Sequence, residues 1–335
     1  MRIAHLLPHT AVFPLKKHNG RYEWALRLAR IQAAAGHDVT IYAGEGSQDN
    51  ANITWQSTPT THLNKKEANL ALLSKAFNDT QYDIYHSHFD YLHYVVADLT
   101  DKPIVVTQHW FPTEEIAQAV PLNLHNNVVT VPVTDMMKKE DEMLGIPATV
   151  RIYHGIDLSL FHPTTEHSDR FLFVGRIHPG KGIAEAIHYA KTANVPLDII
   201  GKINDTEKAF WESIASDVDG EHIRYLGPQP QPVVATAFAN ARGFIFPSQI
   251  EEAFGQVTVE AQAAGTPVII SNVGPSRELV ISGKTGFVCE TDTDFIEAIE
   301  QIGTINRTDC RKHAEQFDLN KMVAEYDALY RSLIS

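Results

Sequence analysis

The sequence is poor in cysteine: only Cys289 and Cys310 occur in 335 residues, at no CxxC or zinc-ligand spacing. That excludes a disulfide-stapled scaffold and fits a reducing cytosol. Long apolar runs are missing as well. No stretch of about eighteen apolar residues exists, so no membrane span is expected. Positive charge is in deficit, with 28 Lys and Arg against 41 Asp and Glu and a formal net charge of −13, which argues against nonspecific binding to nucleic acid. A secretory pattern is also absent. The opening MRIAHLLPHTAVFPL is broken by Pro8 and Pro14, lacks a small-residue cleavage site, and reads as a first strand and loop.

The chain has 44% apolar residues and a length that exceeds one ordinary core, so two domains are expected. Charge is uneven along it. Up to Arg30 the cations Arg2, Lys16, Lys17, Arg21, Arg27 and Arg30 face one acid, Glu23. They read either as a solvated helix face with loop lysines or as a weak contact with anionic lipid or an anionic acceptor. The second reading places a cytoplasmic protein peripherally at the inner membrane face.

Short apolar runs alternate with helical patterns. Residues 3–7 read as a buried strand, 20–35 as a helix closed by Gly36, and 39–43 as the next strand. Further strands are expected at 84–86, 104–107 and 128–131. The same grammar restarts near Arg170, with strands at 171–175, 197–200, 223–225, 243–246 and 267–270 and a helix over 182–193. Strand–helix–strand repetition implies parallel sheets covered on both faces. The polar stretch DLSLFHPTTEHSD, 157–169, reads as a linker. The last residues form one amphipathic helix, with Met322, Tyr326, Leu329, Tyr330 and Leu333 on one face. Two doubly wound domains are expected, with a cleft at the carboxyl ends of their sheets.

Three stretches carry chemistry. In FVGRIHPGKG, 173–182, Arg176 and Lys181 flank a Pro–Gly turn before a helix, which makes an anion site from two cations and backbone N–H groups. The stretch nearly spells a Walker A loop, but Gly182 stands where a Ser or Thr would hold magnesium. A surface turn with two exposed cations is the plainer alternative. In EEAFGQVTVEAQAAGTPVI, 251–269, Glu252 and Glu260 lie eight positions apart, about 80° around the axis if both were helical. Placing Glu252 in the loop and Glu260 inside a helix beginning at Gly255 or Gln256 lets both reach one ligand across the helix start. Gly255 admits close approach to the backbone. Two unrelated solvated acids are the alternative, although Val257, Val259 and Ala261 argue for burial. In HSHFDYLH, 86–93, and TQHW, 107–110, the HxH spacing could suggest a metal, but no carboxylate-rich ligand set accompanies it. His86 and His88 are expected to line the cleft, and His109 to contact a bound hydroxyl.

Taken together, YDIYHSH, VVTQH, YHGIDLSLF, FVGRIHPGKG, LGPQP, FPSQIEEAFGQVTVEAQAAGTPVI and TGFV resemble the retaining nucleotide-sugar glycosyltransferases of the GT-B fold, glycosyltransferase family 4, over nearly the whole chain. The resemblance implies an α/β architecture of two Rossmann-like domains facing across a cleft. Residues 1–156 would be an acceptor domain, 157–318 a donor domain, and the helix 319–335 would pack back on the first. It implies that Arg176 and Lys181 neutralise the donor diphosphate and that Glu252 accepts hydrogen bonds from sugar hydroxyls. The N–H groups of Phe254, Gly255 and Gln256 would touch sugar and diphosphate, Glu260 would bind the ribose, and His109 would face the sugar. Gly20 would sit where donor phosphate and acceptor meet, with the nucleobase near Lys202 and the loop after Leu226-Gly227. No metal or other cofactor is implied. The expected activity is transfer of a hexose from a UDP-sugar, UDP-glucose first, or else GDP-mannose, to a glycan, lipid or small aglycone bound through 8–21 and 111–122. A nucleotide-sugar epimerase and a non-catalytic nucleotide-sugar sensor are the alternatives. KHNGRYEW departs from the family pattern in having one glycine where two adjacent ones are usual, and Asn19 is a residue that tolerates unusual backbone angles. Arg277 in GPSRELV stands where proline is common.

Overall fold

The computed structural model describes residues 1–15, 19–59, 62–120, 125–146 and 150–334. The chain divides into two compact units, Met1–Tyr153 with Met322–Ser335, and His154–Lys321. Residues 16–18 and 121–122 of the expected acceptor loops, Lys16 and Lys17 among them, lie outside the described residues.

In the first unit six short strands pair in parallel: β1 Arg2–Leu6, β2 Asp38–Tyr42, β3 Thr54–Gln56, β4 Ile84–Ser87, β5 Ile104–Thr107 and β6 Val128–Val131, in the order β3-β2-β1-β4-β5-β6. All four residues of β4 and of β5 are buried, as expected of strands covered on both faces. The helix Gly20–Ala34 follows β1. Its N-cap is Asn19, whose side chain accepts from the Tyr22 N–H at 3.3 Å. Asn19 is extended, with φ −144°, so its contribution is a cap and its tolerance of unusual backbone angles is not used. The helix Lys65–Asn78 has no counterpart in the sequence reading. It starts with a capping box between Asn64 and Glu67 and buries Leu72, Leu73, Ala76 and Phe77 against Tyr82 and Tyr85.

The terminal helix Leu319–Ile334 contributes to this unit from Met322 onward. The Tyr326 hydroxyl lies 2.6 Å from Thr107 Oγ1, and the Tyr330 hydroxyl 2.5 Å from His86 Nδ1. Both tyrosines are fully buried.

The second unit repeats the plan. Its strands are β7 Phe171–Val174, β8 Leu197–Ile200, β9 Ile223–Gly227, β10 Phe244–Phe246, β11 Val268–Ser271 and β12 Gly286–Cys289, in the order β12-β11-β10-β7-β8-β9. Counted from each unit's first strand, both orders are the same doubly wound order, with a switch point between the first and fourth strands. The stretch 157–169 is no loose tether. Phe161 is 2% exposed, and Arg311 donates to the carbonyls of Phe161 at 2.9 Å and Ala263 at 2.7 Å. One buried aromatic and a distant arginine therefore fasten a segment whose polar composition reads as a linker.

The early excess of cations is not a bare basic patch among the described residues. Arg2 pairs with Asp83 at 3.3 Å, Arg21 with Asp90 at 2.6 Å, Arg30 with Asp49 at 2.8 Å, and Arg27 lies 4.0 Å from Glu23. No helix among the described residues is long and apolar enough to cross a membrane.

Tyr330→Phe keeps the ring but removes the hydroxyl that faces His86 Nδ1 and also bonds Gln32. Leaving a buried ring nitrogen unsatisfied should cost about 1–3 kcal/mol, read as a lower denaturation midpoint in urea. An unchanged midpoint contradicts the importance of this contact.

Candidate active site

The richest chemistry in the second unit sits at its switch point, where the loops after β7 and β10 run side by side. Gly175 follows β7, and its N–H donates to Ile200 O at 3.0 Å. After Arg176, which is exposed, the chain turns through Pro179–Lys181. The His178 side chain caps this turn by accepting from the Gly180 N–H at 3.0 Å. The loop after β10 is zipped to it: the Gln249 N–H donates to Gly180 O at 2.9 Å, and Ser248 Oγ donates to the same oxygen at 3.3 Å. Gly182 makes this approach feasible. It has φ +76°, and a Cβ there would lie 1.9 Å from Pro247 O.

This zipper brings Lys181 to Glu252, with Nζ 2.7 Å from Oε1. The side chains are 13% and 25% exposed, so each charge has lost much of its water and depends on the other. Glu252 lies in the loop, and Gly255, at φ +89°, is the N-cap of the helix Gln256–Ala263. Glu260 lies inside that helix, half-buried, where Oε1 accepts from Gln231 Nε2 at 3.2 Å. Gln231 was missed in the sequence. Its only signal was its place at the start of the helix Gln231–Asn240, just beyond LGPQP. Phe254 is 2% exposed, its ring 5.3 Å from that of His154 and 5.6 Å from that of Phe317, so its side chain is packed inside the unit. Lys202 is exposed, and its carbonyl accepts from Ile177 N–H at 3.0 Å. Arg277 bonds Asn272 Oδ1 and Glu290 Oε1, both at 2.8 Å, on the surface.

His109 and Gly20 belong to the first unit. Gly20 is the first residue of its helix, and His109 is half-buried at the end of β5, with Nε2 3.3 Å from His88 Nδ1. A cavity of about 270 Å³ opens beside it, lined by Phe89, Tyr91, Tyr94, Gln108, Trp110 and Phe111. The Arg21 guanidinium stands 5.9 Å from the Trp110 ring centroid.

His86 and His88 do not line an opening. Both are fully buried, together with His5 from β1. The sequence reading passed over His5, although a histidine inside a buried strand was itself the signal. Ligating atoms of these three rings lie within 4.8 Å of one another. The described hydrogen bonds already engage them: His86 Nε2 with Thr107 Oγ1 at 2.7 Å and Nδ1 with Tyr330, and His5 Nδ1 with His88 Nε2 at 3.1 Å. Burial pushes His5 down to about 4 and holds His86 and His88 well below 6.5, so the cluster is neutral at pH 7.

Two families match adjoining stretches of the chain: Glycosyltransferase Family 4 over residues 23–160 and Glycosyl transferases group 1 over residues 161–318. The chain is thus a glycosyltransferase of the two-domain, Rossmann-like GT-B fold, and it belongs to glycosyltransferase family 4. It is 26% identical over 323 residues to a phosphatidyl-myo-inositol mannosyltransferase of Mycolicibacterium smegmatis, covering 87% of this chain and 81% of the relative. It is 25% identical over 407 residues to a D-inositol 3-phosphate glycosyltransferase of Jonesia denitrificans, covering 98% and 95%. Among solved structures it resembles sucrose-phosphate synthase from Thermosynechococcus elongatus, with TM-score 0.79, 20% identity and 99% and 98% coverage. It also resembles Anabaena Alr3699/HepE in complex with UDP-glucose, with TM-score 0.78, 16% identity and 99% and 100% coverage.

Two outcomes follow from this geometry. Gly182→Ala should lose about 2–4 kcal/mol, because neither the backbone angle nor the Pro247 carbonyl leaves room; an unchanged melting temperature contradicts the close approach. The second concerns pH. Burial also lowers His93 and His154, each to about 3, from 6.5. These histidines and the three of the cluster take up protons only on unfolding, so their stabilisation is present above pH 6.5 and is lost as pH falls toward 4. Asp141 acts oppositely: burial raises it from 3.8 to about 7, so it destabilises as pH rises through that window. Five histidines outweigh one aspartate. The melting temperature should fall between pH 7 and 4.5, and more steeply in Asp141→Asn; a flat profile contradicts the buried neutral cluster.

Proposed function

We propose that this enzyme moves a hexose from a nucleoside-diphosphate sugar to a hydroxyl acceptor with retention of anomeric configuration. UDP-glucose or a related UDP-sugar is the first choice of donor, and GDP-mannose the second. The observation that carries this reading is the Lys181–Glu252 pair at 2.7 Å, held at a parallel-sheet switch point beside a helix start whose cap is Gly255. A cation, an acid and the backbone N–H groups of a helix start in that arrangement suit a diphosphate joined to a polyhydroxyl ring.

In this reading Arg176 grips diphosphate oxygens and Lys181 adds a compact charge, so charge growing on the leaving group is offset by the protein's own cations without a metal. Glu252 accepts from sugar hydroxyls, and Glu260, oriented by Gln231, accepts from the ribose. Gly255, Gln256 and Phe254 offer N–H groups, Lys202 lies toward the base, and His109 and Gly20 act from the first unit. The bond from the anomeric carbon to the diphosphate oxygen breaks, the acceptor oxygen bonds that carbon on the same face, and the acceptor proton passes to the departing phosphate. Alr3699/HepE, solved with UDP-glucose, supports the donor choice, and the mannosyltransferase relative supports the second. The aromatic cavity beside His109 is the proposed seat of the acceptor. The names of the inositol-directed relatives put inositols and inositol phosphates first in an acceptor panel.

The test is acceptor-dependent release of nucleoside diphosphate from a donor panel. Lys181→Ala and Glu252→Ala should each lower kcat by about 100-fold, the scale of losing one charge-stabilising contact in a transition state. Full activity in both overturns the assignment, and diphosphate release that ignores the acceptor overturns transfer.

A further inference from the structure

The first unit holds a row of side chains that begins on the terminal helix and ends at His109. We propose that Asp327 sets the tautomer of His109 through Gln32, His5 and His88, so that His109 carries its proton on Nε2 and Nδ1 is the ring's hydrogen-bond acceptor.

Each link follows from the one before. A carboxylate only accepts, so Gln32 Nε2 donates to Asp327 Oδ1, at 3.2 Å. That fixes which way the buried amide points and turns its oxygen to His5. His5 Nε2 lies 2.8 Å from Gln32 Oε1 and must donate to it. His5 is neutral, so its Nδ1 is bare and accepts from His88 Nε2–H at 3.1 Å. His88 is neutral too, so its Nδ1 accepts from His109 Nε2–H at 3.3 Å. The proton that His109 loses on becoming neutral is therefore the one on Nδ1.

The row is built to hold its direction. Gln32, His5 and His88 are fully buried, so water offers no alternative partner. Asp327 is held from its other oxygen by His37 Nε2 at 3.1 Å. Trp24, 2% exposed, sets its indole edge-on to His88 and His109, with centroids 5.7 and 5.1 Å away, and fixes both ring planes. Asp327 is thus a positioning residue. Its consequence for catalysis rests on His109 contacting the donor: a ring that carries its proton on Nε2 has no Nδ1–H to give to a phosphate oxygen. The tautomer assignment stands apart from that reading.

The experiment is nitrogen-15 NMR of the full chain with ring-labelled histidine, with His109 identified by the signal lost in His109→Gln. In the wild type His5, His88 and His109 should all show a protonated Nε2. Asp327→Asn can donate as well as accept, so it releases the Gln32 amide; His109 should shift to the Nδ1–H form or a mixture, and kcat/KM for the donor should fall about fivefold, the scale of one net hydrogen bond. Asp327→Glu, which keeps the acceptor, should restore both. Tyr326→Phe, on the same helix, loses a buried hydroxyl contact with Thr107, outside the row, and should lower stability and leave the His109 tautomer in place. A wild-type His88 or His109 protonated on Nδ1 overturns the proposal, even if no variant folds. So does an Asp327→Asn protein with an unchanged tautomer, or a zinc ion retained in stoichiometric amount on His5 and His88, whose facing nitrogens would then both be bare. Expected tautomers with no transfer activity would instead fault the functional reading.

Discussion

Parallel strand pairing is the constraint on which the rest of the molecule depends. Each unit has one sheet whose six strands all run the same way, so the loops at their carboxyl ends collect on one edge. In the second unit the strands adjacent at the switch point are β7 and β10. Their loops carry Lys181 and Glu252, 71 residues apart in sequence and 2.7 Å apart in space. In the first unit the corresponding strands are β1 and β4; β1 carries His5, β4 carries His86, and His88 directly follows β4. One topology therefore yields a charged, partly exposed pair in one unit and a buried, neutral cluster in the other. What differs is burial: the ion pair keeps some water, whereas the imidazoles have none and lie well below their ordinary range.

Much of this was legible in the sequence because the signals were local. Alternating apolar runs revealed five strands of each unit and missed the short edge strands β3 and β12, while the cation-bearing turn and the spaced glutamates marked two segments that meet beside β7 and β10. Non-local features were not legible. The helix Lys65–Asn78 mixes polar and apolar residues with little contrast and is started by a capping box, a signal overlooked in a run of Asn, Lys and Glu. Phe161 and Arg311 anchor 157–169 through contacts 150 residues apart. Gln32 meets Asp327 across 295 residues, a partnership no spacing rule could suggest. His86 and His88 looked like cleft residues because strand ends usually face an opening; here β1, Trp24 and the terminal helix cover them.

The same reasoning separates residues that act from residues that hold. In the proposed site Lys181, Glu252, Arg176 and Glu260 are the charged groups assigned to the donor. Gly182 and Gly255 matter through what they lack, since a side chain at Gly182 would collide with Pro247 and both take left-handed backbone angles. In the proposed row Asp327 and Gln32 carry direction: a carboxylate that can only accept orients an amide, and the amide orients three imidazoles in turn.

The most direct measurement of the central claim, that the loops after β7 and β10 form a nucleotide-sugar site, is amide hydrogen exchange with and without saturating UDP-glucose, with GDP-mannose in parallel. The account predicts that at least one of these donors slows exchange in 175–182 and 252–258, and that Lys181→Ala abolishes this effect. Tight binding of either donor with protection elsewhere and none in these two segments would contradict it.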